Sequence, residues 1–359
     1  MKKNIMLMAG PTAIPEREIK AMDRQIIFHR SKEFKDITKE LNENLKKVFK
    51  TEQDVMVLTG SGTAAMEAAI QNCFSAGDEV VVVVIGVFSR RMADMAEAFG
   101  LNVIRVEKPN GEVATVDEVM SKVTENTKGV FVVHNESATG VTSDIKAFGD
   151  ALKDTDALLC VDTVSGIGAL EFAFDEWNVD IAFASSQKAL MGAPGTAVIC
   201  LSEKAWKATE SSTLPKFYLD LKKARDFGRN GQHPWTPAIY SIIGLNESVK
   251  MIVEEGIDNV IARNTKLSKM VVDGLLKLGI KLYAKDASYA SKSVNTFYYE
   301  KSPQFVSKLA EEYGIQIYNG QAELHDTTFR VGTMGYVAQT DIAAFLYAAE
   351  KVKEELDEN

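Results

Sequence analysis

Residues 157–201 read ALLCVDTVSGIGALEFAFDEWNVDIAFASSQKALMGAPGTAVICL and contain three short apolar runs. The runs cover residues 157–161, 180–184 and 196–201, and each has the length and composition of a buried β-strand. The last two runs are separated mainly by a loop that contains Gly192, Pro194 and Gly195, and a loop of this kind allows one strand to be antiparallel. Polar residues follow the first two runs directly, which is where α/β sheets place ligands.

The same pattern extends in both directions along the chain. Four earlier runs lie at 55–58, 79–84, 102–106 and 129–133, with amphipathic stretches at 62–75, 89–99, 115–124 and 143–153. Alternating strands and helices predict an α/β fold, a mostly parallel sheet covered on both faces. After about residue 250 the pattern changes to helices at 257–278, 303–313 and 339–355 and strands near 279–283, 293–299, 315–318 and 327–331. This part predicts a smaller α+β domain.

The composition excludes several classes of protein. The chain has 359 residues, of which 46% are hydrophobic and 25% charged, so it is typical of a folded globular protein. Its 50 acidic and 41 basic residues give a net charge of −9, which argues against nucleic-acid binding but does not exclude a small anionic ligand. The length favours two domains over one.

The cysteines and the apolar runs indicate the cellular compartment of the protein. Cys73, Cys160 and Cys200 lie in apolar stretches, as expected for buried free thiols in a reducing compartment, and no Cys/His group has the spacing of a metal site. The longest apolar run, residues 80–88, has the length of a buried strand and is far too short for a membrane span. The mixed run at the start of the chain is too short for a signal peptide. We therefore expect a cytoplasmic protein with no membrane or nucleic-acid partner.

Three groups that could carry chemistry follow three different strands. Residues 59–63, TGSGT, precede a helix and could hold a phosphate at its N-terminus, although an ordinary turn between a strand and a helix would look the same. Asp162 ends a buried run, where a carboxylate needs a partner; that partner could be a ligand cation, a helix N-terminus or a distant arginine. Lys188 follows the run at 180–184 and is either a solvated surface lysine or a desolvated nucleophile.

Together, an anion site, a buried acid and a lysine fit one cofactor best. Pyridoxal phosphate (PLP) requires a phosphate site, a carboxylate against its pyridine nitrogen and a lysine for a Schiff base. The carboxylate keeps that nitrogen protonated, so that the ring accepts the electrons released when a substrate Cα–H bond breaks. A dinucleotide-dependent dehydrogenase fits less well, because the first turn lacks the complete GxGxxG pattern and its following acidic residue.

Six motifs also resemble one family. They are GPTAIP (10–15), GSGTAAMEA (60–68), HNESATGV (134–141), VDTVSGIGA (161–169), SSQKALMGAPG (185–195) and FRVGTMGY (329–336). In this order, and across nearly the whole chain, they resemble the class V PLP-dependent aminotransferases, most closely the alanine–glyoxylate, serine–glyoxylate and serine–pyruvate branch. The resemblance implies fold type I with a seven-stranded sheet, and a homodimer whose active sites are shared. It further implies a large PLP-binding domain at 16–250 and a small domain formed by 1–15 and 251–359.

The resemblance also implies a role for individual residues. Lys188 would form the Schiff base and move the proton, Asp162 would pair with the pyridine nitrogen, and Arg330 would bind the substrate carboxylate. The remaining cofactor-binding residues would be Ser61, Gly62, Thr63 and Gln187 at the phosphate, Phe88 and Val164 on the ring, and Ser137 and Thr139 near its 3′-oxygen. Thr236 would reach the phosphate site of the neighbouring subunit. His233 replaces the family's tyrosine three residues before Thr236, and whether it contacts that phosphate is left open.

These residues imply transfer of an amino group by a ping-pong mechanism. The expected donor is alanine or serine and the expected acceptor glyoxylate or pyruvate. Aminotransferases that use 2-aminoethylphosphonate or ureidoglycine remain alternatives, as does a non-catalytic subunit with the same fold, although the presence of Lys188, Asp162 and Arg330 disfavours the latter. Cysteine desulfurase chemistry needs a mobile cysteine late in the chain, and no cysteine follows Cys200.

Overall fold

The structure, a computed structural model, describes residues 4–358. In chain order its strands are β1 (Ile5–Met6), β2 (Val55–Thr59), β3 (Glu79–Val84), β4 (Asn102–Glu107), β5 (Thr127–Val133), β6 (Asn135–Glu136), β7 (Val141–Thr142), β8 (Leu158–Asp162), β9 (Ile181–Ser185), β10 (Thr196–Leu201), β11 (Lys281–Leu282), β12 (Val294–Tyr298), β13 (Ile315–Gln316), β14 (Tyr318–Asn319) and β15 (Thr328–Gly332). Its helices are α1 (Glu16–Met22), α2 (Lys32–Phe49), α3 (Gly62–Cys73), α4 (Val87–Ala98), α5 (Val116–Met120), α6 (Ile145–Leu152), α7 (Glu203–Ser211), α8 (Leu221–Gly228), α9 (Ile239–Glu255), α10 (Ile257–Lys277), α11 (Ser302–Tyr313) and α12 (Gln339–Glu358). Short 3-10 helices cover Ala287–Tyr289 and Ala322–Leu324.

A seven-stranded sheet forms the centre of the fold, in the order β2-β10-β9-β8-β5-β3-β4. β10 is antiparallel to both of its neighbours, and the other adjacent strands are parallel. The antiparallel strand is therefore the one that follows the Gly/Pro loop. Its first residue, Thr196, pairs with Thr59 at the end of β2, and the next, Ala197, pairs with Ser185 at the end of β9. The carboxyl ends of β2 and β9 consequently lie at one edge of the sheet.

Alternate residues of these strands are buried on opposite faces, as expected for a sheet covered on both sides. In β2, Val55 and Val57 pack into one apolar cluster, while Met56 and Leu58 pack into another. The first cluster joins the sheet to α2, α6 and α9, and the second joins it to α3, α4, α7 and α8. This double cover buries the inner strands, while the edge strand β4 stays half-buried, and it leaves the strand ends as the places where polar side chains can meet.

Helix α5 is shorter than the stretch 115–124 predicted from the sequence. Its N-terminus is stabilised by a capping box that Thr115 and Glu118 form. Past Met120, however, the amides of Lys122 and Val123 donate to carbonyls only three residues back, at Val119 and Met120. The chain thus leaves α-helical geometry after five residues.

The C-terminal part has its own sheet and core. Four antiparallel strands follow the order β11-β12-β15-β14, and a third apolar cluster packs them against α10, α11 and α12. The N-terminal β1 pairs in parallel with β13, so the start of the chain packs with this part. The bounds 16–250 for a large domain and 1–15 with 251–359 for a small one stay a prediction, and residues 1–3 and 359 of those bounds lie outside the described chain.

Within residues 4–358, no three His, Cys, Asp or Glu side chains are grouped as metal ligands would be. None of the helices in that part of the chain combines the length and the apolar composition that crossing a bilayer requires.

Candidate active site

The ends of three strands meet at one edge of the large sheet. β2, β8 and β9 all end there, since Asp162 pairs with Phe183 of β9 and Ser185 pairs with Ala197 of β10. The peptide N–H of Ser186 donates to the carbonyl of Thr196, which closes the edge between β9 and β10. Asp162 is the last residue of β8, and Lys188 lies three residues past the end of β9. The structure therefore brings the acid and the lysine to the same edge.

The turn between β2 and α3 has the geometry of an anion site. Ser61 is the N-cap of α3, and its side chain caps no backbone amide of the helix. The first amides of such a helix have no intrahelical partner and are available to an anion. A Cβ on Gly62 would lie 3.0 Å from Cγ2 of Val164, so the turn packs tightly against the residues that follow Asp162.

Unpartnered polar atoms surround this turn. The hydroxyls of Ser185 and Thr196 and the side-chain carbonyl of Gln187 are buried and have no hydrogen-bond partner among residues 4–358. Buried polar atoms are nearly always paired, so three unpaired atoms near one helix N-terminus indicate a site for a polar group that completes them. The Gly60 amide donates to the Gly195 carbonyl and holds the turn against the loop that follows Lys188.

Asp162 is buried and carries a perturbed pKa. Its Oδ1 accepts a hydrogen bond of 2.8 Å from the amide of Val164. Burial is the main effect and raises the pKa of Asp162 to about 7, with a contribution from the nearby Glu136 carboxyl and an opposing one from Lys188. A cation placed against this carboxyl would stabilise its ionised form.

The Lys188 side chain is half-buried, and its amine donates to the carbonyl of Ala9. Desolvation of the amine lowers the pKa of Lys188 to about 8; the positive charge of Arg330 acts in the same direction, and Asp162 acts against it. Gly10 has φ +108°, and a Cβ at that position would lie 2.7 Å from Lys188 Nζ. The N-terminal segment therefore covers the lysine closely.

Phe88 lies in the first turn of α4, and the centre of its half-buried ring is 5.9 Å from Lys188 Nζ. A buried carboxyl that the sequence did not single out, that of Glu136, positions this turn. Its Oε2 accepts hydrogen bonds from the amides of Phe88 (3.0 Å) and Ser89 (2.9 Å), and its Oε1 accepts one of 3.1 Å from Ala138. Burial raises the pKa of Glu136, and these amides oppose the rise. The sequence shows only that an acid lies inside HNESATGV. It gives no sign of the acid's role, because the helix whose first amides Glu136 binds lies 48 residues earlier.

Arg330 projects from the middle of β15 and is only 7% exposed. Its Nε donates to the Asn319 carbonyl at 3.2 Å and its Nη1 to the Ser137 carbonyl at 3.4 Å, and no ion pair joins it to a carboxylate within the described residues. Burial lowers the pKa of Arg330. Within residues 4–358 this guanidinium is thus a buried cation whose hydrogen bonds run to backbone carbonyls and not to a carboxylate.

The other predicted residues fall into two groups. Ser137 and Thr139 are buried; the Ser137 carbonyl accepts from Arg330 at 3.4 Å, and the Thr139 hydroxyl donates to the Ile85 carbonyl at 3.2 Å. Thr236 is exposed on the surface of the chain. His233 is buried, its ring centre lies 6.0 Å from that of Phe34, and desolvation lowers its pKa to about 4.

The chain is similar to known proteins over nearly its whole length. The family model described as aminotransferase class-V matches residues 6–345. The L-aspartate–glyoxylate aminotransferase of Paracoccus denitrificans is 37% identical over 99% of this chain and 92% of its own length. The serine–glyoxylate aminotransferase of Methylorubrum extorquens is 34% identical over 97% and 90%. Among solved structures, the alanine–glyoxylate aminotransferase of Nostoc sp. superposes with a TM-score of 0.92 at 27% identity, over 98% of this chain and 96% of that one.

Proposed function

Because this chain belongs to the class V aminotransferases and is a PLP-dependent transaminase, we propose that it moves the amino group of alanine or serine to glyoxylate or pyruvate. The observation that supports the site most directly is the meeting of Asp162, Lys188 and the α3 N-terminus at one sheet edge. The three relatives differ in their donor amino acid and share glyoxylate in their names, which favours glyoxylate as the acceptor.

The chain's own groups fit PLP. The cofactor's phosphate would be held by Ser61, Gly62 and Thr63 at the start of α3 together with the side-chain N–H of Gln187. The buried hydroxyls of Ser185 and Thr196, which have no partner in the described chain, are further donors beside this turn. The pyridine nitrogen would be held by Asp162. Phe88 and Val164 would contact the ring, and Ser137 and Thr139 would lie near its 3′-oxygen. When bound, PLP supplies a conjugated ring that accepts the electrons of a broken Cα–H bond.

Lys188 is proposed to bind the cofactor as a Schiff base and, once released, to move a proton. An amine must be neutral to act as a nucleophile or as a base, and a pKa of about 8 leaves an appreciable neutral fraction near pH 7. Asp162 acts through charge: its carboxylate holds the ring nitrogen in the protonated form. Since burial raises the pKa of Asp162 to about 7, the positive nitrogen is what keeps this carboxyl ionised in the loaded enzyme.

Arg330 is proposed to bind the α-carboxylate of the amino acid. A guanidinium presents two parallel N–H donors to a carboxylate, and the desolvated surroundings of Arg330 strengthen that interaction. Its present partners are backbone carbonyls at 3.2 and 3.4 Å, so a substrate carboxylate would supply the missing negative charge.

A homodimer with shared active sites is proposed as the working form. Thr236 is exposed, and so are large apolar side chains on the same chain, such as Phe28 (66%) and Phe217 (70%), which a second copy would cover. His233 is buried near Phe34 of its own chain, and its Nε2 has no hydrogen-bond partner among residues 4–358. A cytoplasmic location is proposed because all three cysteines are free and buried, as in reducing compartments.

A half-reaction screen tests the proposal. The purified, PLP-loaded protein is mixed with single amino acids, and the absorbance of the bound cofactor is followed. Conversion by alanine or serine, reversed by glyoxylate, is the expected result. Conversion by 2-aminoethylphosphonate or ureidoglycine alone would replace the proposed substrates, and conversion by no donor would support a non-catalytic subunit. The Lys188→Ala variant is the control, because it should lose the absorption band of the covalently bound cofactor.

A further inference from the structure

A third buried carboxyl near the active site, after those of Asp162 and Glu136, has no part in the reaction described above. Glu18 of helix α1 is completely buried, and its Oε1 accepts a hydrogen bond of 2.7 Å from the amide of Ala193. Ala193 belongs to the loop 186–195, which carries Lys188 and connects β9 to β10. The acceptor and the donor are 175 residues apart in the sequence, so this bond ties the N-terminal helix to the lysine loop.

The loop joins two parts of the site. The hydroxyl of Ser186 donates to the Ala193 carbonyl at 2.6 Å, and the amide of Gly192 donates to the Ser186 carbonyl at 2.7 Å. At the other end, the Gly195 carbonyl accepts the Gly60 amide of the turn before α3. A shift of Ala193 would therefore move both the lysine side and the phosphate side of the site.

The loop does not adopt this shape through local preference alone. Met191, three residues after Lys188, has φ +61°, a left-handed conformation that is unfavourable for a residue with a Cβ. Such a conformation persists only where surrounding contacts hold it, and Ala193 lies two residues further along. The hydrogen bond to Glu18 is a contact of this kind from outside the loop.

The neighbouring helix leaves space for this carboxyl. A Cβ on Gly244 of α9 would lie 2.6 Å from Oε1 of Glu18, so the glycine makes room for the acid between α1, α9 and the loop. The segment before α1 holds the other side of the loop: the Thr12 amide donates to the Gln187 carbonyl at 3.0 Å, and the Thr12 hydroxyl donates to the Lys188 carbonyl at 2.9 Å. Residues 12–18 thus hold the loop at both ends.

We propose that Glu18 is a positioning residue whose carboxyl, through the Ala193 amide, holds the loop 186–195 in the shape that binds PLP. The nature of the ligand rests on the proposed function; the positioning role rests on the contacts of Glu18. Burial raises the pKa of Glu18 to about 7, and a neutral acid still offers a carbonyl oxygen to Ala193. An amide of the same shape should therefore preserve the contact.

Three substitutions separate the hydrogen bond from simple filling of space. Glu18→Gln keeps an acceptor for Ala193, Glu18→Met fills the same volume without an acceptor, and Glu18→Ala removes both. Glu16→Ala is the matched control, because Glu16 is an exposed carboxylate on the same helix. Each protein is prepared as the full chain without cofactor, its Tm is measured, and its Kd for PLP is then titrated by fluorescence. Hydrogen exchange of residues 186–196 is compared in the same samples.

Loss of one buried hydrogen bond changes an equilibrium by about tenfold. We expect Glu18→Met to raise the Kd for PLP by about tenfold or more and to speed exchange at the Ala193 amide, while Glu18→Gln and Glu16→Ala stay within about twofold of the wild type. If Glu18→Ala does not fold, the Kd values for PLP of Glu18→Gln and Glu18→Met are compared instead. Equal Kd values for those two variants would overturn the proposal. A wild-type protein that does not bind PLP at all would instead contradict the proposed function.

Discussion

The buried guanidinium of Arg330 allows activity and stability to be predicted together. We consider Arg330→Met, which fills similar space without charge. The guanidinium is only 7% exposed, its two hydrogen bonds run to carbonyls at 3.2 and 3.4 Å, and no ion pair neutralises it within residues 4–358. A substrate carboxylate would form two charge-assisted hydrogen bonds with it. At about 1.5–3 kcal/mol each, their loss should lower kcat/KM by about 10²–10⁴-fold.

The stability of the cofactor-free protein should change in the opposite direction. Replacing a buried ion that has no ion-pair partner with an apolar side chain is often neutral or stabilising, and here two long hydrogen bonds and the attraction of the Glu136 carboxyl oppose the gain. A net gain of about 1 kcal/mol corresponds to a rise in Tm of about 1.3 °C for a chain of 359 residues. Rapid-mixing half-reactions and thermal unfolding measure the two effects.

Arg105→Met is the matched control, since Arg105 is also a strand arginine but is paired with Asp94 at 2.6 Å and Glu97 at 2.9 Å. It should leave kcat/KM unchanged. The reasoning would be refuted if Arg330→Met kept kcat/KM within about fivefold of the wild type, because the loss of two charged bonds is far larger than that. A fall in Tm of several degrees would show instead that Arg330 supports the fold.

Three further predictions concern the lysine and its surroundings. Asp162→Asn keeps an acceptor for the Val164 amide but loses the charge opposite the ring nitrogen, so half-reaction rates should fall by about 10²–10³-fold while PLP still binds covalently; unchanged rates would contradict the role of Asp162. The pKa of Lys188 is about 8 in the folded protein and 10.5 in the unfolded chain. Burial of the charged amine therefore lowers the free energy of unfolding by its full amount below pH 8, and this loss of stability disappears as the pH rises to 10.5. The rate of PLP attachment to the cofactor-free protein should accordingly rise up to about pH 8 and then level off, and a rate independent of pH between 6 and 9 would argue against a depressed pKa of Lys188. Gly10→Ala should displace Lys188, because its Cβ would lie 2.7 Å from Nζ at φ +108°; we expect slower PLP attachment and a loss of about 1–2 kcal/mol in the free energy of unfolding, whereas Gly77→Ala, at φ +88° with no atom within 4 Å, should affect stability alone.

Much of the architecture could be predicted from local patterns. Fully apolar runs of five or six residues predict buried strands wherever they occur, and the positions of Asp162 and Lys188 after such runs place both at the carboxyl edge of a sheet. The antiparallel direction of β10 could be anticipated because a short Gly/Pro loop cannot contain a crossover helix. The two-residue strand β1 carries no comparable signal, since its pairing partner lies about 310 residues later.

The roles of Glu18 and Glu136 could not be predicted for the same reason. Each is an acid with no distinctive sequence signal, and its role depends on an amide that folding brings to it, from a residue 175 positions away for Glu18 and 48 positions away for Glu136. For His233, in contrast, the sequence named a candidate contact but could not decide whether it forms. The motif left its contact with a neighbouring phosphate open; in its own chain the ring lies 6.0 Å from that of Phe34, and its Nε2 has no hydrogen-bond partner among residues 4–358.

The pairing of β1 with β13 has a consequence for the order in which the molecule is completed during synthesis. The segment that covers Lys188 leaves the ribosome first, yet Ile5 pairs with Ile315 and the Leu7 carbonyl accepts the Gly332 amide. These contacts cannot form until nearly the whole chain has been translated. The central sheet, in contrast, is complete once residue 201 has emerged. The N-terminal segment is therefore fixed in two stages: residues 9–18 have their partners in the lysine loop as soon as the central sheet is complete, whereas residues 5–7 gain theirs only when β13 and β15 have been made.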